Sequence, residues 1–273
     1  MIKTKIIAEI GINHNGDLDI VRKLINVAAV AACDYVKFQK RNPDVCVPES
    51  QKNVPKQTPW GDMTYLEYKH RIEFGKDEYD QIDSHCRQNK IKWFASVWDE
   101  GSVDFMSNYT NITKIPSAMI LDRDLCKRAR EKNEKLLIST GMSVEEEIDE
   151  CVDNCDPDVI FHTNSTYPSK CNELNLNYIK WLKEKYPDKE IGYSGHEYGL
   201  VTTYPTIALG ATYIERHITL NRDMWGSDQA ASVEPSGLIK LVKGIRDIES
   251  SMGDIGPRIL FGSEKQKMQM LRP

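Results

Sequence analysis

Short runs dominated by Ile, Val, Leu and Phe recur along the chain, and most are followed by a stretch in which apolar residues return every three or four positions. The runs read as strands buried on both faces, and the stretches as helices with one apolar face. The strands fall at "KIIAEI" (5–10), "DYVKFQK" (34–40), "IKWFASV" (91–97), "NITKIPS" (111–117), "KLLIST" (135–140), "DVIFHT" (158–163), "EIGYSG" (190–195) and "ATYIERHI" (211–218). Helices are expected at 18–32, with Leu24, Ile25, Ala28 and Ala29 inward, and at 76–90, 122–132, 176–186, 200–209 and 235–250. A further helix is expected to be capped by Ser143, with Glu145, Glu146 and Glu147 in its first turn, where the helix dipole favours them. Eight strand–helix units with no second strand-rich block argue for one (β/α)8 TIM barrel over residues 1–273. A doubly wound open sheet would want a glycine-rich turn after its first strand, and "GINHNG" sets Asn13, His14 and Asn15 between its glycines. Residues 41–75 break the rhythm. They are rich in Pro, Gln and Asn yet carry Trp60, Tyr65 and Tyr68, and so long an excursion inside a compact domain is usually functional. Residues 252–273 read as a tail.

Composition narrows the function more than the fold. A chain of 273 residues, 40% hydrophobic, can bury a core that needs no disulfide or structural metal. With a net charge of −5 and no basic tract, nothing could track a phosphate backbone, so nucleic acid is not expected as a partner. A local positive pocket for a small anion remains open. The seven cysteines include Cys151 and Cys155 four apart but no second pair to complete a zinc site, and read as reduced thiols. "MIKTKIIAEIG" is too short and charged for a signal peptide, and no apolar run approaches the ~18 residues of a membrane span. A cytoplasmic protein without membrane contact is expected. A homodimer through the barrel helices or the 41–75 excursion is compatible with the sequence, since Trp60, Tyr65 and Tyr68 need somewhere to bury.

Barrel chemistry sits at the C-terminal ends of the strands. In chain order those ends carry Glu9 with Asn13 and His14, Lys37 with Gln39, Ser96, Lys114 with Ser117, Ser139 with Thr140, His162 with Asn164 and Tyr167, Ser194 with His196, and Glu215 with His217. A lone strand-end histidine is more often packing than ligand. His196 and His217, however, close adjacent strands, within reach of one divalent cation. A lysine at a buried strand end is costly unless an anion or a nearby carboxylate neutralises it. Lys37 and Lys114 with Ser117, Ser139, Ser194 and Asn164 could hold a phosphate and a carboxylate. Strand alternation turns Arg216 outside the barrel, into an ion pair.

These stretches resemble the sialic acid (N-acetylneuraminate) synthase family. The likeness is carried in order by "IIAEIGINHNGDL" (6–18), "VKFQK" (36–40), "TKIPS" (113–117), "LISTGMS" (137–143), "HTNSTYPS" (162–169), "GYSGHE" (192–197), "IERHITL" (214–220) and "GSDQAASVEP" (226–235). The resemblance implies a metal-assisted transferase that condenses phosphoenolpyruvate with the open-chain aldehyde of a sugar, giving a 2-keto-3-deoxy sugar acid and phosphate. It implies His196 and His217 as ligands of Mn2+ or Mg2+. Lys37, Lys114, Ser117, Ser139, Asn164 and Ser194 would form the phosphoenolpyruvate cradle with Gln39 beside it, Glu9 would lie at the reacting carbons, and Tyr167 and Asp228 would be sugar contacts. Glu215 would orient a metal-bound water.

The chain also departs from the pattern. It stops where family members continue into a C-terminal antifreeze-like domain, so it reads as a short form or a truncation. Met119 stands where an acidic residue is usual. "ASVWDE" replaces a Thr-Pro-Phe type of strand end, so Trp98 and Asp99, and Trp225 near Asp228, are expected to reshape the mouth. The acceptor is left open among N-acylated hexosamines, other hexoses, and a phosphorylated pentose of the 3-deoxy-octulosonate 8-phosphate synthase type. A Schiff-base lysine aldolase and an inactive barrel serving as a binding protein are the remaining alternatives.

Overall fold

The computed structural model describes residues 3–272. Among the described residues ten strands occur in chain order: β1 (Lys5–Gly11), β2 (Tyr35–Lys40), β3 (Pro55–Thr58), β4 (Gly61–Thr64), β5 (Lys92–Val97), β6 (Ile112–Ile115), β7 (Lys135–Ser139), β8 (Val159–Thr163), β9 (Glu190–Gly195) and β10 (Tyr213–His217). Eight of them close into a parallel barrel in the order β1-β10-β9-β8-β7-β6-β5-β2, and β3 pairs with β4 as a separate antiparallel hairpin. The barrel expected from the alternation is therefore present, each strand within two residues of its expected ends.

The period of two sorts each strand into an inner and an outer set. Ile6, Ala8, Ile10, Val36, Phe38, Ala95, Ile138, Ile160 and Ile214 face outward and join the core shared with the helices, to which Val21, Leu24, Ile25 and Ala28 of helix Leu18–Val30 contribute. Ile7, Phe94, Leu137, Val159, Phe161 and Tyr213 face inward and plug the barrel. Phe161 fits because Gly192 stands opposite; a Cβ there would lie 2.6 Å from its ring. The next inward position on each strand is polar: Glu9, Lys37, Ser96, Lys114, Ser139, Thr163, Ser194 and Glu215. The interior is thus an apolar plug with a charged floor resting on it.

Three local expectations change. Helix Glu145–Cys155 is not capped by Ser143: its N-cap is Val144, whose amide donates to the Glu147 carboxylate at 2.9 Å. A helix not anticipated, Glu100–Met106, follows β5, capped by Asp99, which accepts from the Ser102 amide at 2.8 Å and the Asn42 amide at 2.7 Å. Asp99 therefore ties the exit of β2 to that of β5. The 41–75 excursion is ordered as two one-turn helices, the β3–β4 hairpin and helix Tyr65–Ile72, which begins with a capping box between Thr64 and Glu67. Of its aromatics only Tyr68 is buried; Tyr65 is half-buried and Trp60 stays exposed, with Trp60 and Tyr68 packing edge-on against Trp225 at 5.6 and 5.4 Å between centroids. No helix among the described residues is long and apolar enough to cross a membrane.

Candidate active site

The charged floor lies at the base of a cavity at the C-terminal end of the barrel. It is lined by Glu9, Lys37, Gln39, Ser96, Trp98, Lys114, Ser117, Ser139, Thr163, Ser165, Tyr167, Ser194, His196, Glu215 and His217. Lys114 Nζ lies 2.9 Å from both oxygens of Glu215. Lys37 Nζ lies 2.9 Å from Glu9 Oε2 and 3.5 Å from Glu215 Oε1, and donates to Ser96 Oγ at 2.7 Å. Ser194 adds a hydrogen bond to Glu215 Oε1 at 3.1 Å. Both lysines thus have carboxylate partners. Glu215, expected beside a metal-bound water, is instead the shared counter-ion of the two lysines, because the alternation that points His217 into the mouth places Glu215 one layer deeper, level with Lys114.

Burial and pairing act differently on these groups. Burial raises the Glu9 carboxyl above its ordinary value, with Lys37 opposing. Burial also works against the Glu215 carboxylate, but Lys114 and Lys37 overcome it and hold its pKa down to about 2. Burial lowers Lys114 to about 8 despite Glu215. Two carboxylates pushed apart in this way are suited to different roles, one able to carry a proton and one fixed as a charge.

His196 and His217 meet above this floor, with ring centroids 5.4 Å apart. His196 Nδ1 lies 2.6 Å from the Asn164 carbonyl oxygen, so it carries the proton and leaves Nε2 free as a donor atom. Burial, and then His217, push the His196 pKa down to about 3, which keeps the ring neutral. His217 Nδ1 is buried without a hydrogen-bond partner, 3.9 Å from Asp228 Oδ2. Two adjacent imidazoles, an unmatched buried nitrogen and a nearby carboxylate form a donor set that fits a divalent cation. Tyr167 lies tilted by 30° against the His196 ring at 4.0 Å between centroids and stands edge-on to His217 at 5.7 Å.

The floor opens outward into a second cavity that shares Gln39, Trp98, Ala118 and Tyr167 with the first and adds Arg41, Val47, Tyr65, Lys69, Met119 and Asp228. Of the residues singled out in the sequence, Glu9, Lys37, Gln39, Lys114, Ser117, Ser139, Tyr167, Ser194, His196 and His217 line the inner cavity, and Asp228 lines the outer one. Asn164 is not brought to either. Its side chain turns toward a neighbouring surface cleft, accepts from the Thr166 amide at 2.9 Å and donates to the Glu173 carbonyl at 3.1 Å; only its backbone oxygen, on His196, serves the site. His14, stacked on Phe74 at 4.2 Å, and His162, bonded to the Leu174 carbonyl, are packing residues. Arg41 and Lys69 were missed. The signal available was the apolar period of "TYLEYKHRIEF", which identifies a helix inside the excursion with Lys69 on the same face as Tyr65 and Ile72.

Behind the histidines lies a brace. Arg216, 1% exposed, donates to Glu197 Oε1 at 3.1 Å, Thr203 Oγ1 at 2.6 Å, and the carbonyls of Gly199 at 3.0 Å and Glu197 at 2.6 Å. It forms the ion pair expected outside the barrel, and the two partners are the chain neighbours of His217 and His196.

A parallel barrel whose mouth joins a lysine–carboxylate floor to paired imidazoles is the site of a (β/α)8 enzyme acting on anionic substrates. Residues 24–256 match the NeuB family. The N,N'-diacetyllegionaminic acid synthase of Campylobacter jejuni is 34% identical, over all of this chain and 84% of that protein. The human N-acetylneuraminate-9-phosphate synthase is 33% identical, over 93% of this chain and 73% of that one. A crystal structure of the N-acetylneuraminic acid synthetase from Leptospira borgpetersenii superposes with a TM-score of 0.86 at 29% identity, covering 98% of this chain and 91% of that one. The chain belongs to the NeuB family, the sialic acid-type synthases. It is a transferase of the phosphoenolpyruvate-dependent, nonulosonate-forming class, and that class is metal-dependent.

Proposed function

We propose that the inner cavity binds phosphoenolpyruvate and that the outer cavity presents the open-chain aldehyde of a nonulosonate-type sugar to its C3 carbon. The observation that carries this reading is the convergence of Lys37, Lys114, His196 and His217 on one cavity. Lys37 and Lys114 face the phosphate and carboxylate, and Ser117, Ser139 and Ser194 donate hydroxyl hydrogens to the same oxygens. As it stands the floor is neutral, with two ammonium groups against Glu9 and Glu215. An anionic substrate gains most if one carboxylate can take up a proton, and Glu9 is the one burial prepares for that. A divalent cation, Mn2+ or Mg2+, on His196 and His217 would supply Lewis-acid polarisation of the aldehyde oxygen.

C3 of phosphoenolpyruvate then forms the new C–C bond to the aldehyde carbon, held at near-attack distance by the walls of the two cavities. The aldehyde oxygen takes up the proton that Glu9 carries and becomes a hydroxyl, which leaves Glu9 ionised for the water step. Positive charge develops at C2, where the substrate's own carboxylate and phosphate stabilise it. Water adds at C2 with its proton passing toward Glu9, and the tetrahedral adduct expels phosphate to leave the 2-keto acid. Gln39, which donates to Glu9 Oε1 at 3.3 Å, and Tyr167, against both histidines, position the reacting ends. No lysine is needed as a Schiff base, since both are committed as counter-charges. The acceptor is an N-acylated aldose, in keeping with relatives named for legionaminic acid and N-acetylneuraminate 9-phosphate. The reaction is cytoplasmic, where phosphoenolpyruvate is made.

The test is phosphate release from phosphoenolpyruvate over a panel of aldoses with Mn2+ or Mg2+, with metal binding followed separately by calorimetry. The expected result is release with at least one N-acylated aldose, and loss of both turnover and metal affinity in His217→Ala without loss of fold. Release with no aldose, or full metal affinity in His217→Ala, would overturn it.

A further inference from the structure

Outside the barrel, the helices that follow β6 and β7 bring three cysteines to one point. Helix Arg123–Lys132 supplies Cys126, and helix Glu145–Cys155 supplies Cys151 and Cys155, one turn apart and so on a single face. All three are free thiols with at most 4% exposure, and none lines the inner or the outer cavity. Cys126 Sγ lies 4.0 Å from Cys151 Sγ, Cys151 Sγ lies 3.9 Å from Cys155 Sγ, and the third side of the triangle is within 4.8 Å. The partner that Cys151 and Cys155 lack in the local sequence stands on another helix, 25 residues before Cys151.

Packing alone accounts for a single buried cysteine, which behaves as a small apolar residue, and Cys33 and Cys86 of the same core are of that kind. The triangle goes further. Cys155 Sγ donates to the Cys151 carbonyl at 3.1 Å, and Cys126 Sγ faces the carbonyls of Met119 and Ile120 at 3.8 and 3.7 Å. Cys151 Sγ has no oxygen or nitrogen partner among the described residues and meets only the other two sulfurs. The point equidistant from all three sulfurs lies no more than about 2.5 Å from each, against about 2.3 Å for a metal–thiolate bond. An ion placed there needs only small movements of the side chains.

The donors select the ion. Thiolates are soft ligands that favour Cu+, Zn2+ or an iron–sulfur cluster. A structural Zn2+ takes four ligands, and a cluster takes four cysteines. Among the described residues no fourth His, Cys, Asp or Glu ligand atom joins the three within 4.8 Å. Of these ions Cu+ alone is complete with three sulfurs. We propose that Cys126, Cys151 and Cys155 form a three-coordinate thiolate site for Cu+. The ligating thiols give their protons to solvent and copper stays monovalent, so binding needs no redox partner. Cys155 is the last residue of its helix, before Asp156 in the left-handed conformation at φ 44°, and opening that one turn admits the ion. Once filled, the site ties the two helices together. Through Cys126, beside the Met119 and Ile120 carbonyls, it also reaches the segment that begins at Ser117 in the inner cavity.

The test offers Cu+ alone, as its acetonitrile complex, to the reduced full chain without oxygen, with bicinchoninate as competitor. The protein should hold one Cu+ per chain, and X-ray absorption should show three sulfurs at about 2.3 Å with no nitrogen or oxygen. Cys126→Ala should weaken retention by more than about 100-fold, beyond the roughly 10–100-fold that loss of an outer-shell partner costs. Cys86→Ala, as buried as Cys126 but outside the triangle, and Cys171→Ser, which removes the exposed thiol, should each bind as the parent does. Where circular dichroism shows Cys126→Ala unfolded, X-ray absorption of the parent decides. Loss of all copper to the competitor, a shell containing nitrogen as His196 and His217 would give, or unchanged binding in folded Cys126→Ala would overturn the proposal. So would Zn2+ held at these sulfurs in preference to Cu+ when both are offered.

Discussion

Replacing Arg216 with methionine tests whether the pair behind the histidines organises the site. The side chain is 1% exposed and its four hydrogen bonds end on Glu197, Thr203 and Gly199. Methionine fills much of the same volume, so the cavity term is small, and the dominant loss is electrostatic. The Glu197 carboxylate, 0% exposed, keeps Tyr193 at 2.9 Å and Thr202 and Thr203 at 3.0 Å as donors but no counter-charge. Removing one partner of a buried ion pair costs about 3–5 kcal/mol. At roughly 2–4 °C per kcal/mol for a chain of this size, Tm should fall by about 6–20 °C. Arg216→Met combined with Glu197→Leu removes the stranded charge, and should recover most of that loss, giving a coupling of about 2 kcal/mol or more in the double-mutant cycle. Because β10 and β9 are in register with Arg216 opposite Gly195, loosening the pair also frees the two histidines to separate. Calorimetric affinity for Mn2+ should therefore drop in Arg216→Met. A melting temperature within about 2 °C of the parent, or a double variant no more stable than the single, would refute a stabilising pair. Unchanged Mn2+ affinity would refute its positioning role.

Two further outcomes follow from the floor and its rim. Lys114 must be protonated to hold an anion and its pKa in the free protein is lowered to about 8, so kcat/KM for phosphoenolpyruvate should fall as pH rises through about 8. Lys114→Arg, which cannot deprotonate in that range, should lose this alkaline limb whatever its overall rate; an unmoved limb would assign it elsewhere. Asn164→Ala should lower Tm by disrupting the turn at Thr166 and Ser169 yet change KM for phosphoenolpyruvate less than about threefold, whereas a tenfold rise would place that side chain in the cradle.

The barrel was legible because strands buried on both faces announce themselves as apolar runs, and the helices between them keep a period of 3.6. The floor was legible for a related reason. A strand of period two that suddenly carries Glu9, Lys37, Lys114 or Glu215 at an inward position can tolerate it only at the rim. What the sequence could not supply is which inward charge meets which. Glu215 follows Ile214 and precedes the two residues that brace and crown the site, and nothing local says that its carboxylate runs across the barrel to Lys114, 101 residues away. Asn164 failed to reach the cavity because its side chain closes a turn on its own backbone, a competition that short polar residues commonly win. Arg41 and Lys69 stayed hidden because residues 41–75 have no strand rhythm to index them. They are brought together by the hairpin and the packing of Tyr68 on Trp225, which are long-range events.

The 41–75 excursion leaves the barrel at the end of β2 and rejoins it at helix Lys76–Gln88, and between those points it makes much of the outer cavity wall. The floor, by contrast, is assembled one residue at a time from all eight strands. The two halves of the site are therefore unequal as hereditary units. Bond-making machinery spread over every strand can change only by changing the whole barrel, whereas the wall facing the second substrate is one contiguous cassette. Exchanging that cassette between relatives is a way to transplant a preference for one sugar onto another's chemistry without disturbing a single strand.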